Sequence, residues 1–501
     1  MSANTKSHAR NKDSKDLALR HQHLPAHGVL HPWTGGGTSG GRTSGGRKGS
    51  AVHERYGKSA KSPRLWVGDA GAIIGGLGFG ATIGLALTAE TRSELTATGG
   101  VAIFVGNLTA LAGTYLALVM VLLVSRIPAI ERAIGQDRLV RWHRRLSPWP
   151  LSLLAAHAVF TTIGYAQASK TGILHQIGTF IHSYPDMLTA IISFAIMMAI
   201  GFASIRAVRN RMRREVWWTI HLWMYLALAL AFAHEIALGP SFVGHPLTRT
   251  VWIVLWMLSA GLVLAYRIGL PIIRTARHRL RVADVQTEAP GVVSIVCSGR
   301  HLDRLTVSGG QFMFWRFLAR GIWWQAHPYS FSALPQAPYL RLTVKGVGDH
   351  SEALAGLRPG TRVVVEGPYG SFTRHAQRHK KAVLIAAGIG VTALRSLLED
   401  LPGGSNGSHP IVIVRVSRSE DLLFHAELAE LVKHRRGELH EIIGSREEAR
   451  LDEKALSSLV PRIDQRDIYI CGPEGFVRDV IEVTRHLGVP EEAVHYEEFS
   501  L

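Results

Sequence analysis

Cysteine is nearly absent from this chain: two of 501 residues, Cys297 and Cys471. Both lie in the C-terminal half, which the charge pattern described below assigns to a reducing compartment, so a disulfide framework is excluded. Acidic residues are scarce beside basic ones, 38 Asp and Glu against 56 Lys and Arg, for a formal net charge of +18. Such a surplus raises nucleic acid as a partner, but no basic module interleaved with aromatics is present and that class is set aside. Residues 1–62 lack an apolar run and a cleavable signal pattern. With clusters such as Gly35-Gly36-Gly37 and Gly45-Gly46 they read as a disordered basic tail.

What the chain does have is a series of long apolar stretches between Leu65 and Ile273. Crossing hydrocarbon as a helix takes about 20 apolar residues. Six spans are expected, at roughly 65–89, 100–125, 146–166, 187–206, 216–238 and 250–272. The loops between them alternate in charge. The N-terminal tail, Arg126 to Arg145, Arg206 to Arg214 and Arg274 to Arg281 are basic, whereas Glu90 to Gly99, Gln167 to Tyr184 and Gly239 to Thr248 are not. Segments that stay cytoplasmic collect Lys and Arg, so the N-terminus and the C-terminal half are expected in the cytoplasm of a protein of the cell membrane. Basic residues beside spans also suit anionic lipid headgroups, which accounts for most of the net charge.

An ionisable side chain at membrane depth is costly and needs a chemical reason. Span three carries His143 and His157, fourteen residues apart, a rise of about 21 Å on nearly one helix face. Span five carries His221 and His234, thirteen apart, a rise of about 19.5 Å whose second imidazole is off the first one's azimuth. A local bulge, helix tilt or rotamer has to correct that offset. Spans three and five run in the same direction, so His143 pairs with His221 and His157 with His234. Two neutral imidazoles suffice for one haem iron, and two stacked haems follow; interhelical hydrogen bonding is the simpler alternative for each histidine alone. Arg144, Arg145 and Arg214 are candidates for the propionates, or ordinary loop cations. His175, His182 and His245 fall in outer loops and read as solvated.

Beyond Arg281 the pattern changes to short alternating strands such as Val292 to Cys297 and Leu340 to Val344, which indicates a small antiparallel barrel. Within it stand His327-Pro328-Tyr329-Ser330, Gly348-Asp349-His350-Ser351 and Glu366-Gly367-Pro368-Tyr369-Gly370. A flavin needs an aromatic wall, a hydroxyl near its reactive nitrogen and donors for its pyrophosphate, which Tyr329, Ser330 and Ser351 are expected to supply. Next, the apolar run Ala382 to Ala387 leads through Gly388-Ile389-Gly390-Val391-Thr392 into a helical stretch. Strand, glycine turn and helix make a phosphate site, because glycines permit close backbone approach and a helix N-terminus favours an anion. Arg418, after the strand Ile411 to Val416, is placed to grip a 2′-phosphate and favours NADPH, with NADH as the alternative. The last strand ends in Cys471-Gly472-Pro473, where the thiol either faces the nicotinamide or is a small buried hydrophobe. Phe499 is a candidate to stack on the flavin until nicotinamide displaces it.

On these features residues 65–501 resemble the ferric reductase and NADPH oxidase superfamily. The resemblance rests on the histidine spacings, the His-Pro-aromatic-Ser motif, the glycine turn, Cys-Gly-Pro and the terminal Glu498-Phe499. Ala393 stands where the family usually has proline, and Leu501 extends the chain past an aromatic that is often terminal. The resemblance implies an all-α six-helix transmembrane bundle (63–273) with two b-type haems on His143, His157, His221 and His234. A β-barrel FAD domain (274–375) and an α/β doubly wound NADPH domain (376–501) are implied to follow. It also implies Ser330, Cys471 and Phe499 at the reacting centre. His327, Pro328, Tyr329, Gly348, Ser351, Gly367, Gly388, Gly390, Thr392, Arg418, Gly472 and Pro473 are implied around the cofactors.

The expected activity is electron transfer from NADPH through FAD and haem to an external small-molecule acceptor, oxygen or a ferric chelate. Two rivals are a membrane-anchored flavin reductase without haem and a haem subunit that donates to a partner protein. No protein partner is identified.

Overall fold

The computed structural model describes residues 65–88, 91–403, 409–445 and 447–499. The expected N-terminal tail lies outside the described residues.

Among the described residues six helices are long and apolar enough to cross a membrane: Gly68–Thr88, Gly100–Leu123, Arg138–Ala168, Met187–Ser204, Glu215–Leu238 and Pro246–His278. They form spans one to six. Span one is helix α1 (Leu65–Thr88), and a short α2 (Arg92–Thr96) begins with a capping box between Thr91 and Glu94. Span two is α3 (Gly100–Leu123), followed by α4 (Pro128–Ile134) in the connecting loop. Span three is built from α5 (Gln136–Leu146) and α6 (Pro148–Ala168), joined through Ser147, whose backbone is helical. Proline lacks a backbone donor and restricts its predecessor, so Pro148 marks the break without ending the rod. Span three therefore starts earlier than its apolar pattern suggests, and His143 lies within a helix.

The outer loop after span three is itself helical, α7 (Ile173–Ser183). Spans four and five are α8 (Met187–Ser204) and α10 (Arg214–Leu238), with α9 (Arg206–Arg209) between them. Span five is an uninterrupted α-helix, so of the bulge, tilt or rotamer that its thirteen-residue histidine spacing calls for, the bulge is not used and tilt or rotamer is left. The π turn occurs instead in span six, at Leu264–Gly269, between α11 (Pro246–Val263) and α12 (Leu270–His278).

Spans two and three touch along a seam of small residues. A Cβ added to Gly164 would lie 2.8 Å from the Ile103 nitrogen, and one on Gly106 would lie 3.0 Å from the Thr161 nitrogen. The first is shorter than real Cβ contacts show, and the second is tighter than nearly all of them. Small residues let helix backbones approach where lipid offers no hydrophobic drive between helices.

The barrel follows as two three-stranded antiparallel sheets, β1-β2-β5 and β4-β3-β6. Their strands are β1 (Arg281–Ala289), β2 (Val292–Ser298), β3 (Phe312–Phe317), β4 (His327–Ser330), β5 (Tyr339–Lys345) and β6 (Val363–Tyr369), with a short helix α13 (Asp349–Ala353) between β5 and β6. Alternate side chains point inward, and Trp315, Phe317, Phe331, Leu340 and Leu342 fill the interior. The last domain is a parallel sheet ordered β11-β10-β7-β8-β9. It comprises β7 (Lys381–Ala387), β8 (Ile411–Val416), β9 (Glu438–Ile443), β10 (Arg466–Pro473) and β11 (Val494–Phe499). Helix α14 (Val391–Asp400) follows β7, and strand order reverses beside β7, which makes the ends of β7 and β10 the switch point where such sheets bind ligands.

Barrel and sheet are joined by a buried ion network. Arg341 on β5 donates both Nη atoms to Glu427 at 2.8 and 2.7 Å, and Arg395 on α14 donates Nε to the same carboxylate at 2.7 Å while pairing with Glu399. Glu399 also accepts the Leu334 amide at 2.8 Å. Arg395 is 2% exposed, and deleting one partner of a buried network strands the others. Arg395→Met is expected to cost about 3–5 kcal/mol, read as a lowered thermal unfolding midpoint of the purified protein.

Candidate functional site

The imidazoles come first because their surroundings are the least tolerant of polar atoms. His143 and His221 face each other with ring centroids 6.2 Å apart and planes 80° apart. His143 Nδ1 lies 3.2 Å from the Met120 carbonyl and His157 Nδ1 lies 2.9 Å from the Gly106 carbonyl, both on span two. A carbonyl only accepts, so Nδ1 carries the proton and each Nε2 is left with a lone pair. Metal-ligating histidines are oriented in this way, with the ring nitrogen away from the metal donating to a carbonyl. On span five, the Nδ1 atoms of His221 and His234 are buried without a hydrogen-bond partner, and Trp217 stacks on His221 at 5.1 Å. These donor atoms fit an iron porphyrin held by two imidazoles at each depth. The Arg214 side chain lies outside the described residues.

The flavin motif occupies β4. Tyr329 is fixed from behind by Trp315, whose indole donates to the Tyr329 carbonyl at 2.9 Å. Its hydroxyl lies 3.2 Å from His350 Nδ1, and burial pushes its pKa up. His327 stacks on His350 at 3.9 Å. Burial, and then His327, push the His350 imidazole down to about 4, while Glu215 at the start of span five opposes that shift. The flavin motif thus feels the charge of the helix that carries His221. Ser330 is 5% exposed, and its Oγ is buried without a partner. An orphaned hydroxyl in that position fits a ligand with a hydrogen-bonding ring nitrogen.

Ser351 differs from expectation. Its Oγ accepts the Val347 and Gly348 amides at 2.9 and 3.1 Å and donates to the Gly348 carbonyl at 2.9 Å, so it shapes the loop. Gly367 has φ 128, where a side chain is strained, and its missing Cβ would lie 3.0 Å from Met313 Cγ. His350 and Trp315 were missed in the sequence; His350 sits within the quoted Gly-Asp-His-Ser segment, which was its available signal.

At the switch point, Gly388 has φ 54 and opens the turn into α14. A Cβ on Gly390 would lie 2.2 Å from the Cys471 carbonyl, so the turn packs directly on the end of β10. Thr392 is buried and donates to the Ile389 carbonyl at 2.9 Å. Pro473 pairs in register with Phe499 and Gly472 with Glu498, which brings the Cys-Gly-Pro segment and the terminal aromatic together. Phe499 packs partly buried on the cluster that contains Cys471. Cys471 itself is wholly enclosed, and burial followed by the Glu497 carboxylate raises its thiol well above the usual value. The small-hydrophobe alternative describes this environment. Arg418 is exposed and paired, with Nη1 2.8 Å from Glu420 and Nε 3.2 Å from Asp421, so a phosphate has to compete with two carboxylates.

Two outcomes follow. Gly390→Ala drives a methyl into the Cys471 backbone and is expected to weaken dinucleotide binding at least about ten-fold, measured by titration with NADP⁺ or NAD⁺. Glu131 on α4 is buried and pushed up to about 7 by burial, against the pull of Arg126, Arg267 and Arg274. Its folded-state value lies above the ordinary 4.5, so its stability contribution is complete below pH 4.5 and is lost as pH rises through 7. Unfolding midpoints compared at about pH 5 and about pH 8 are expected to diverge less in Glu131→Gln than in the wild-type protein.

Comparison with known proteins accords with this layout. The family profile described as a ferric reductase like transmembrane component matches residues 109–232, an FAD-binding domain matches 277–373 and an oxidoreductase NAD-binding domain matches 384–482. The chain is 30% identical over 189 residues to a flavohemoprotein of Bacillus subtilis, covering 34% of this chain and 46% of that protein. It is 27% identical over 200 residues to an NADPH oxidoreductase of Mycobacterium tuberculosis, covering 38% and 52%. The chain thus spans about half the length of the curated relatives it matches. Among solved structures, the cytochrome P450 reductase GcoB of Amycolatopsis aligns with a TM-score of 0.38 and 20% identity, over 45% of this chain and 70% of that one. Six apolar spans among the described residues, then an FAD-binding domain and an NAD-binding domain, give the chain a ferric reductase/NADPH oxidase-like architecture.

Proposed function

We propose that this protein takes electrons from NADPH in the cytoplasm, through FAD and two b-type haems, to oxygen or a ferric chelate on the other side of the cell membrane. The observation that carries the reading is the imidazole geometry. His143 and His157 each spend Nδ1 on a span-two carbonyl, which orients Nε2 as a ligand, opposite His221 and His234. Bound FAD supplies the conversion of a two-electron hydride into single electrons, and bound haem supplies one-electron relay.

The chain's own residues position and protect. The helix N-terminus after Gly388 and Gly390 holds the dinucleotide phosphates. Ser330 offers a hydroxyl to the flavin ring, Tyr329 and Phe499 supply aromatic surface, and the Trp315 bond keeps β4 from shifting. Pro473 is placed at the nicotinamide end, with Gly472 behind it and Cys471 packed beneath as a buried, protonated thiol. Spans three and five hold the iron pairs in low dielectric and exclude water. Arg418 favours NADPH once its bonds to Glu420 and Asp421 open.

His157→Ala or His234→Ala is expected to remove one of two paired-imidazole absorbance signals and to reduce transmembrane electron transfer at least about a hundred-fold, with NADPH oxidation by a soluble flavin-level acceptor within about two-fold of wild type. Absence of any haem spectrum in the detergent-purified wild-type protein would refute the reading in favour of a haem-free flavin reductase. In vesicles, superoxide-dismutase-sensitive probe reduction identifies oxygen as the acceptor, and ferrous-chelate formation identifies a ferric chelate.

A further inference from the structure

Where the barrel meets the helical bundle, a set of charges touches neither Tyr329 and Ser330 nor the imidazole pairs. Arg126 follows the end of α3 with φ 61, a left-handed conformation that a non-glycine residue rarely adopts. The turn is built to hold it there. Ser125 is buried, its amide and hydroxyl both donate to the Leu122 carbonyl at 3.2 and 2.7 Å, and Arg267 from the π turn donates to the Val124 carbonyl at 3.3 Å.

The result is a guanidinium thrown onto the barrel. Arg126 Nη1 pairs with Glu366 on β6, and its plane lies over Phe314 at 4.2 Å and Tyr369 at 5.0 Å. The residue is 8% exposed and its Nε has no hydrogen-bond partner. A strained backbone, a buried cation and an unpaired donor together are expensive, and such strain persists only where the surroundings over-determine it.

What Arg126 joins gives the reason. Phe314 sits in register between Glu366 and Pro328, so the three strands of the flavin motif's sheet are held at one level. On the other side, α3 lends the Met120 carbonyl to His143, six residues before Arg126. We propose that Arg126 is a positioning residue that sets the separation between the flavin site and the His143/His221 pair. The proposal rests on the electron-transfer reading above, because transfer between two cofactors falls off exponentially with their distance.

The test uses the holo-protein in detergent. In Arg126→Met, NADPH-driven haem reduction followed by stopped-flow absorbance is expected to slow at least about ten-fold, while ferricyanide reduction at the flavin stays within about two-fold. Amide exchange in α4 and β6 is expected to accelerate at least about ten-fold. Arg126→Lys keeps the charge but loses the planar fork and is expected to fall between. Unchanged haem reduction with unchanged exchange in Arg126→Met overturns the proposal, as does an equal loss of haem and ferricyanide reduction, which would place Arg126 in flavin binding. Should Arg126→Met not fold, Arg126→Lys decides, and parity with wild type overturns it. A wild-type protein without haem signal defeats the electron-transfer reading instead, and the exchange rates still test the clamp.

Discussion

A polar atom inside an apolar bundle has no water to fall back on, and the rest of this structure is arranged around that constraint. The two histidines of span three satisfy it with carbonyls of span two, which is possible only because glycines bring the helices within hydrogen-bond reach. The same requirement appears where the bundle ends. Ser125, Arg126 and Arg267 absorb the last carbonyls and the first charges beyond them. A helix that ended without such partners would leave several carbonyls bare.

The soluble half is held by a different kind of contact. Arg341, Arg395, Glu399 and Glu427 make one network between barrel and sheet, with each carboxylate accepting more than one donor. Burial of charge rewards stability little by itself but punishes any relative displacement of the two domains. Flavin motif and glycine turn are consequently presented as one connected piece, and the Arg126–Glu366 pair is one of the contacts that tie that piece to the bundle, beside the His278 imidazole on the Arg300 carbonyl.

Much of this was readable from residues because the signals are local. Apolar run length located the spans, alternation located the barrel strands, and Gly388-Ile389-Gly390 after an apolar run located the turn at the switch point. The depth of each histidine along its span was legible for the same reason, since depth along a helix is sequence separation multiplied by a fixed rise. What escaped depends on contacts across long separations, such as Arg126 with Glu366 or Arg341 with Glu427. The π turn of span six and the helix within the third loop escaped because neither interrupts the apolar pattern. Arg418 is a different case: its partners Glu420 and Asp421 lie two and three residues on, so its ion pairs were visible in the sequence. Ser351 likewise sits three residues after Gly348, the spacing of a hydroxyl that closes its own turn.

The glycine seam between spans two and three has a mechanical meaning. Backbones in such close contact cannot slide or separate without breaking the bonds from Met120 and Gly106 to the imidazoles. Span five is braced differently: Ser193 of span four donates to the Ala227 carbonyl at 2.6 Å, while the Nδ1 atoms of His221 and His234 are untethered, so its backbone is tied and its imidazoles are not.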